Sequence, residues 1–376
     1  MAKKKTEGKY PVHVTEDVFA EGNGILAGVL KTVTGSETPR VALVADSNVV
    51  QRTTGLGTKI GRYFQAHGIT LAASPTVMQG GERSKSDYSQ CAGRVAGALV
   101  DAKIGVKDAV IALGGGTLLD VASYAAAQAR GGIPLVRIPT TAAAMIDGAF
   151  AEVAALDAPA VKDAYRIPAL PAAVIVDPLF AKTVLDGVWR AGYGEAVRFA
   201  AVHAATLMRK LAKRAEAVRG RDYDAMRETI AECVEARGTE PTAPFALWCA
   251  GRLEAMSGYK LPHGYAVAIA ICIDCAYAVK TGRMKEADQE LVCRALADCG
   301  ALDALSHSHH LLAKTESLLL GLDAWALATG SETIPLPGAL GKSVEEQRPD
   351  RAVYTEVIAD FLAVSRDSEG GVSQDE

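Results

Sequence analysis

Several things are scarce in this sequence of 376 residues, and each scarcity removes a class of protein. Lysine and arginine do not outnumber aspartate and glutamate: 40 against 44 gives a net charge of −4, so no global basic field exists to hold nucleic acid or an anionic membrane surface. Uninterrupted apolar runs stay short of the roughly 20 residues a membrane span needs. Cysteine is sparse, odd in number at seven, and scattered, which argues against a disulfide framework and for a reducing cytoplasm. Only Cys272 and Cys275 form a CxxC pair; they lie inside the apolar run VAIAICIDCAYAV, with no second pair to complete a zinc site, and read as buried helix thiols. The basic opening MAKKKTEGKY is followed by no apolar stretch and reads as a solvated end rather than a secretory signal. No internal repeat or low-complexity linker is present.

What remains is an ordinary globular composition, 49% apolar and 22% charged, long enough for two domains. The first half alternates short apolar runs with amphipathic stretches. RVALVAD (40–46), ITLAASP (69–75), DAVIALGGG (108–116), IPLVRIPTT (133–141) and AAVIVDP (172–178) read as buried strands. A stretch ending near His67, residues 84–102 and LLDVASYAAAQAR (118–130) read as the helices between them. That spacing is the βαβ pattern of a parallel, doubly wound sheet. From about residue 184 helical patterns take over. The expected organisation is an α/β domain over 1–183, an all-helical domain over 184–366, and a polar, acidic tail over 367–376 that is expected to be disordered.

A strand that runs into Gly114-Gly115-Gly116 and then a helix suits one chemical task. Without Cβ atoms the backbone can approach a pyrophosphate, and the first amides of the next helix point at the anion. It is not the GxGxxG fingerprint, and a tight structural turn has the same appearance. Other polar groups follow the neighbouring strands: Asp46-Ser47-Asn48, Gly80-Gly81-Glu82 with Lys85, and Thr140-Thr141 with Asp147. All belong to the C-terminal edge of one sheet, where open α/β folds bind ligands.

Taken in order, DSN (46–48), GGERSK (80–85), GGGTLLD (114–120), IPTT (138–141), ID (146–147), GEAVRF (194–199) and HGYAVAIA (263–270) resemble the dehydroquinate synthase-like sugar phosphate cyclases over nearly the whole chain, about residues 10–365. RLEAMSGYKLPHG, LLLGLDAW and IPLPGALGKSVE are most similar to the branch encoded in ebo-type gene clusters, then to valiolone-type cyclases. The resemblance implies an NAD-binding α/β domain and a helical domain that binds metal and substrate. It also implies a reaction in which NAD transiently oxidises a sugar phosphate, phosphate is eliminated, and a carbocycle closes. A divalent metal, usually zinc, polarises the reacting hydroxyls.

Carried over residue by residue, the resemblance assigns Asp46, Asn48, Glu82 and Lys85 to the nucleotide, and Gly114, Gly115, Gly116 and Asp120 to the pyrophosphate turn. Thr140, Thr141, Asp147, Lys162 and Thr183 fall near the nicotinamide end. Glu195 and His263 match metal ligands, and Lys162 and Arg198 are the candidate catalytic groups. A homodimer is the default assembly for the class.

The sequence also departs from the family. Val153 stands where relatives carry a lysine, Asp157 and Asp163 where they carry asparagines, Arg198 replaces a lysine, and Tyr265 replaces the glutamate of HGE. The block written GHxxxH in relatives reads Ala246-Leu247-Trp248-Cys249-Ala250-Gly251, so one histidine metal ligand is gone. Cys249, His203 (eight residues after Glu195, about 80° around a helix) and the cluster His307, His309 and His310 are the alternative donors. Three readings follow: an active NAD-dependent lyase with a rebuilt metal site, an NAD-binding protein without turnover, and an NAD-linked alcohol dehydrogenase of the iron-containing type.

Overall fold

Strands made of valine, isoleucine, leucine and alanine, with no polar alternation, need cover on both faces, and that need shapes the first half of the chain. The computed structural model describes residues 9–158, 161–239 and 242–370, with side chains to 363. The opening residues 1–8 and the last six, where the solvated start and most of the acidic tail fall, lie outside the described residues; the final helix Arg351–Gly370 covers the start of that expected tail. The chain divides into two units. One runs to Leu185 and takes back the segment from Val234 to Thr239; the other holds Asp186–Cys233 and everything from Thr242 onward.

In the first unit, β1 (Val12–Val14), β2 (Arg40–Asp46), β3 (Thr70–Leu71), β4 (Thr76–Met78), β5 (Ala109–Gly114), β6 (Leu135–Pro139) and β9 (Ala173–Val176) form one parallel sheet. Its order is β1-β9-β6-β5-β2-β3, with β4 continuing alongside β2. β5 and β9 are buried at every position. The order reverses at β2: the chain builds outward to β3 and β4, then crosses back to β5 on the other side. Val44 pairs with Ala112 and Ala45 with Leu113, so Asp46 and Gly114 leave the sheet side by side at this switch point.

Three local expectations are corrected. The strand expected over 69–75 is only Thr70–Leu71, and β4 follows it separately. The helix expected over 84–102 is a short 3₁₀ turn, Glu82–Lys85, and then a helix confined to Ala92–Asp101. Asp87 explains the break, because its carboxylate accepts from the Ser89 amide and hydroxyl and offers the backbone an alternative to a helix. An antiparallel hairpin, β7 (Val153–Ala158) and β8 (Val161–Pro168), has no counterpart among the expected elements. It is anchored by Arg137, a buried arginine on β6 whose guanidinium donates to Ser123 Oγ and to the carbonyls of Ala149, Ala151 and Ala169. Burial brings that guanidinium down to about 10.

The second unit is helical, as expected, with one two-stranded hairpin, Thr333–Pro337 with Ser343–Gln347. Its central helix, His263–Lys280, is long and apolar enough to cross a membrane by length and composition, but 72% of it is buried inside the protein. Cys272 and Cys275 are free, buried thiols on that helix. Within the helical stretch that begins the second half, Ala204 separates two helices, Asp186–His203 and Ala205–Arg219.

Candidate functional site

The glycine turn is set by close contacts on one side and open space on the other. A Cβ at Gly114 would lie 2.5 Å from Leu118 and 3.1 Å from Asp46 Cβ, and one at Gly80 would lie 2.3 Å from Asp46 Oδ2. A Cβ at Gly116, where the helix Gly116–Gln128 begins, would meet nothing within 4 Å. Side chains are excluded where strand, turn and Asp46 converge, and a Cβ at Gly115 would come within 3.2 Å of Thr141, while the Cβ direction at Gly116, where the helix starts, is open. Asp46 caps the short helix Ser47–Arg52 by accepting from Asn48 N at 2.8 Å and Asn48 Nδ2 at 3.0 Å. Thr140 follows β6 with its Oγ1 buried and unpartnered among the described residues, an unusual state for a hydroxyl.

Beside this turn lies a charge cluster only partly legible in the sequence. Lys85, 3% exposed, places its Nζ 2.9 Å from Glu82 Oε1 and 3.1 Å from both Asp120 Oδ2 and Asp163 Oδ1, with Asp157 Oδ1 at 3.9 Å. Lys162 Nζ reaches Glu82 Oε1 at 3.2 Å, and Thr117 Oγ1 donates to Glu82 Oε2. Burial by itself would lower the Lys85 ammonium, but Asp120, Glu82, Asp163 and Asp157 together hold it well above the lysine range. Burial pushes the Asp157 carboxyl up to about 6. The structure therefore brings Glu82, Lys85, Asp120 and Lys162 together. Thr141 caps the helix Ala142–Ile146, Thr183 Oγ1 donates to Phe180 O, and Asp147 sits 3.4 Å from Arg237. Arg237 also stacks over Phe150 at 4.2 Å, a partner with no signature in the sequence.

In the helical unit, a glycine contact makes the second cluster. A Cβ at Gly264 would fall 2.4 Å from the Ala191 carbonyl oxygen, so the helices Asp186–His203 and His263–Lys280 touch backbone to backbone. Glu195 and His263 meet at this crossing, Oε1 to Nε2 3.2 Å. Arg198, 1% exposed, donates Nε to Glu195 Oε2 at 2.7 Å and Nη1 to Ala243 O at 2.9 Å. Burial would raise the Glu195 carboxyl, but Arg198 and then His263 outweigh it and hold it below the usual carboxylate range. Glu254, 1% exposed, is a residue that sequence reasoning misses although it lies in the RLEAMSG segment; its Oε1 is 2.8 Å from His263 Nδ1 and orients the ring.

The alternative metal donors do not join this cluster. Cys249 is fully buried, and burial together with Asp274 pushes its thiol well above the cysteine range. His203 Nε2 accepts from Ala243 N at 3.1 Å. His307, His309 and His310 belong to a separate helix, Leu305–Leu312. Leu247 begins the helix Leu247–Met256. Lys260 and Lys285 are exposed, and Met145 and Trp248 are buried.

A doubly wound sheet with a glycine turn at its switch point, followed by a helical unit carrying a Glu–His pair, is the architecture of the sugar phosphate cyclases. The family model for the 3-dehydroquinate synthase N-terminal domain matches residues 75–191. The 3-dehydroquinate synthase of Rhodopseudomonas palustris (strain BisB18) is 30% identical over 312 residues, 78% of this chain and 80% of that protein. The chain belongs to the 3-dehydroquinate synthase family. Its fold is shared with the 2-epi-5-epi-valiolone synthase of Streptomyces hygroscopicus subsp. jinggangensis, solved with NAD+ and Zn2+ (TM-score 0.77, 22% identity, 97% and 99% of the two chains). It is shared too with a 2-deoxy-scyllo-inosose synthase solved with carbaglucose-6-phosphate, NAD+ and Co2+ (TM-score 0.73, 17% identity, 93% and 96%).

Proposed function

We propose that this chain is a sugar phosphate cyclase-type lyase: residues 1–183 bind NAD, and residues 184–366 serve a phosphorylated sugar that undergoes carbocyclisation with loss of phosphate. The observation that carries the reading is the side-chain-free turn Gly114–Gly116 opening the Gly116–Gln128 helix, beside Asp46 and the Thr140 hydroxyl unpartnered among the described residues, at the switch point of a parallel sheet. When bound, NAD would supply reversible oxidation of a sugar carbinol, taking hydride from the carbon while the hydroxyl loses its proton; the resulting ketone makes the neighbouring C–H acidic enough for phosphate to be eliminated. Asp46 and Asn48 would hold the adenosine end, the amides of Gly115 and Gly116 the pyrophosphate, and Glu82 with Lys85 a ribose. Lys162, tied to Glu82, would be the cationic group that works on the substrate, and Arg198, tied to Glu195, would act through Glu195 and His263. Of the residues that would hold a divalent ion, Glu195 and His263 are present and oriented, and Leu247 offers no donor. We place the protein in the cytoplasm as a homodimer; the seven free cysteines suit a reducing compartment.

A second reading, NAD binding without turnover, is favoured by Leu247 and Val153 standing where relatives carry a metal ligand and a lysine. The test is direct. Cofactor released from denatured protein is identified by mass spectrometry, and phosphate release is followed with sedoheptulose 7-phosphate and related heptulose phosphates. Bound NAD with phosphate release supports the lyase; bound NAD with none across the heptulose phosphates supports the second reading. NADH accumulating with an alcohol favours a dehydrogenase instead, and protein that neither carries nor binds NAD overturns both proposals.

A further inference from the structure

The Glu195 carboxylate is one of the most deeply buried charges in the helical unit, at 2% exposure, and a buried carboxylate must be compensated. In a metal enzyme of this build a divalent ion does so, which requires about three protein donors around it. Here, among the described residues, two donors come together, Glu195 and His263. Leu247 has no lone pair. Cys249 is fully buried, and among the described residues its sulfur does not come together with Glu195 and His263 as a group of three donors. Glu254 faces His263 Nδ1 while Glu195 faces Nε2; the two ring nitrogens point away from each other, so one ion at Nε2 does not gather both carboxylates.

Positive charge is nonetheless already present. Arg198 is the more completely buried partner of Glu195, its Nε 2.7 Å from Oε2, and a guanidinium stays charged throughout the working pH range. Its other arm grips Ala243 O, while His203 accepts from Ala243 N and Asp274 Oδ2 accepts from Ala246 N at 3.1 Å. The backbone leading into Leu247 is thus tied down by side chains from two neighbouring helices, in a conformation that includes Ala246 at φ +66°.

We propose that Arg198 is the resident cation of the Glu195–His263 centre, and that the helical unit of this chain is complete without a divalent ion. Arg198 acts here as a positioning residue: it fixes Glu195, through Glu195 the His263 ring, and through Ala243 the entry to the Leu247–Met256 helix. The inference does not depend on the cofactor reading, because NAD release from the same samples reports on that separately.

The experiment measures metal content and melting temperature on the full-length protein. Wild type is expected to contain well under one zinc per chain after zinc-supplemented expression, with a melting temperature unmoved by EDTA. Arg198→Met is expected to melt several degrees lower than wild type. The double variant Leu247→His, Arg198→Lys is expected to acquire one zinc per chain and a melting temperature that EDTA lowers. One zinc per wild-type chain that disappears in Glu195→Gln, or wild-type melting that EDTA lowers, overturns the proposal. So does a folded double variant that gains no zinc, since Leu247 and Arg198 are then not what excludes the ion. If the double variant does not fold, the wild-type metal content and EDTA response decide the matter.

Discussion

Gly264 and Ala191 form the tightest helix contact around the Glu195–His263 pair: a Cβ on Gly264 would lie 2.4 Å from both the Ala191 carbonyl oxygen and its Cβ. No flexible side chain can yield there, so the two helices must separate. Gly264→Ala should destabilise the protein by about 1–3 kcal/mol, the usual cost of forced overpacking, and pull Glu195 and His263 apart. Gly97, in the helix Ala92–Asp101, has nothing within 4 Å of its would-be Cβ and serves as control; Gly97→Ala should be neutral or stabilise by up to about 1 kcal/mol. Urea unfolding of the two variants checks the contrast, and equal effects would refute the contact argument.

Gly116 separates a fold role from a ligand role. A Cβ at Gly116 meets nothing within 4 Å, so Gly116→Val should fold, with a small propensity cost at a helix start. If the helix N-terminus receives the NAD pyrophosphate, the valine occupies that space, and affinity should drop at least about tenfold, equivalent to ~1.4 kcal/mol. Calorimetric titration with NAD, paired with a melting curve, reads both. Unchanged affinity in a stable variant would move the pyrophosphate elsewhere.

Lys85 holds four carboxylates together, so Lys85→Met should be costly. Removing one partner of a buried ion cluster leaves uncompensated charge and typically costs about 3–5 kcal/mol. The loss should be largest near neutral pH, where the carboxylates are ionised, and should shrink toward pH 4 as Asp120 and Asp157, both already raised by burial, take up protons. Chemical denaturation at both pH values measures it; a pH-independent loss would mean that packing, not charge, is what Lys85 supplies.

How much of this is readable in the sequence follows from burial. β2, β5, β6 and β9 announce themselves because both faces are covered and their residues are almost uniformly apolar. The β7–β8 hairpin does not, because β8 is largely exposed and mixes lysine, aspartate, tyrosine and arginine. The glycine turn and the Glu195–His263 pair are legible as motifs. Glu254 and Arg137 are not, since an acidic residue within a helix and an arginine within a strand look solvated until the tertiary fold buries them at 1% and 2% exposure. Asp147 and Thr141 match the expected polar edge and also have structural partners that the sequence does not show: Asp147 pairs with Arg237 and Thr141 caps a helix.

Asp274 supplies the last prediction, on pH. It is fully buried on the His263–Lys280 helix and accepts from Trp248 Nε1 at 3.1 Å, Tyr354 OH at 2.7 Å and Ala246 N at 3.1 Å. Burial raises its carboxyl to about 7 despite those three donors. A carboxyl whose folded value lies above its unfolded one contributes stability that is fully present below pH 4 and is lost as pH rises toward 7, because ionisation is easier in the unfolded chain. The ceiling on that loss is about 4 kcal/mol over the interval, at ~1.4 kcal/mol for each pH unit between the unfolded and folded values. Asp274→Asn removes the titration while keeping an acceptor for Tyr354 and Trp248, so its stability should change less between pH 4 and 7 than that of wild type. The two curves should diverge toward acid, where wild type gains and the variant does not. Denaturation midpoints across that range test the sign: parallel curves would show that Asp274 stays ionised in its three-donor site, with hydrogen bonding outweighing burial.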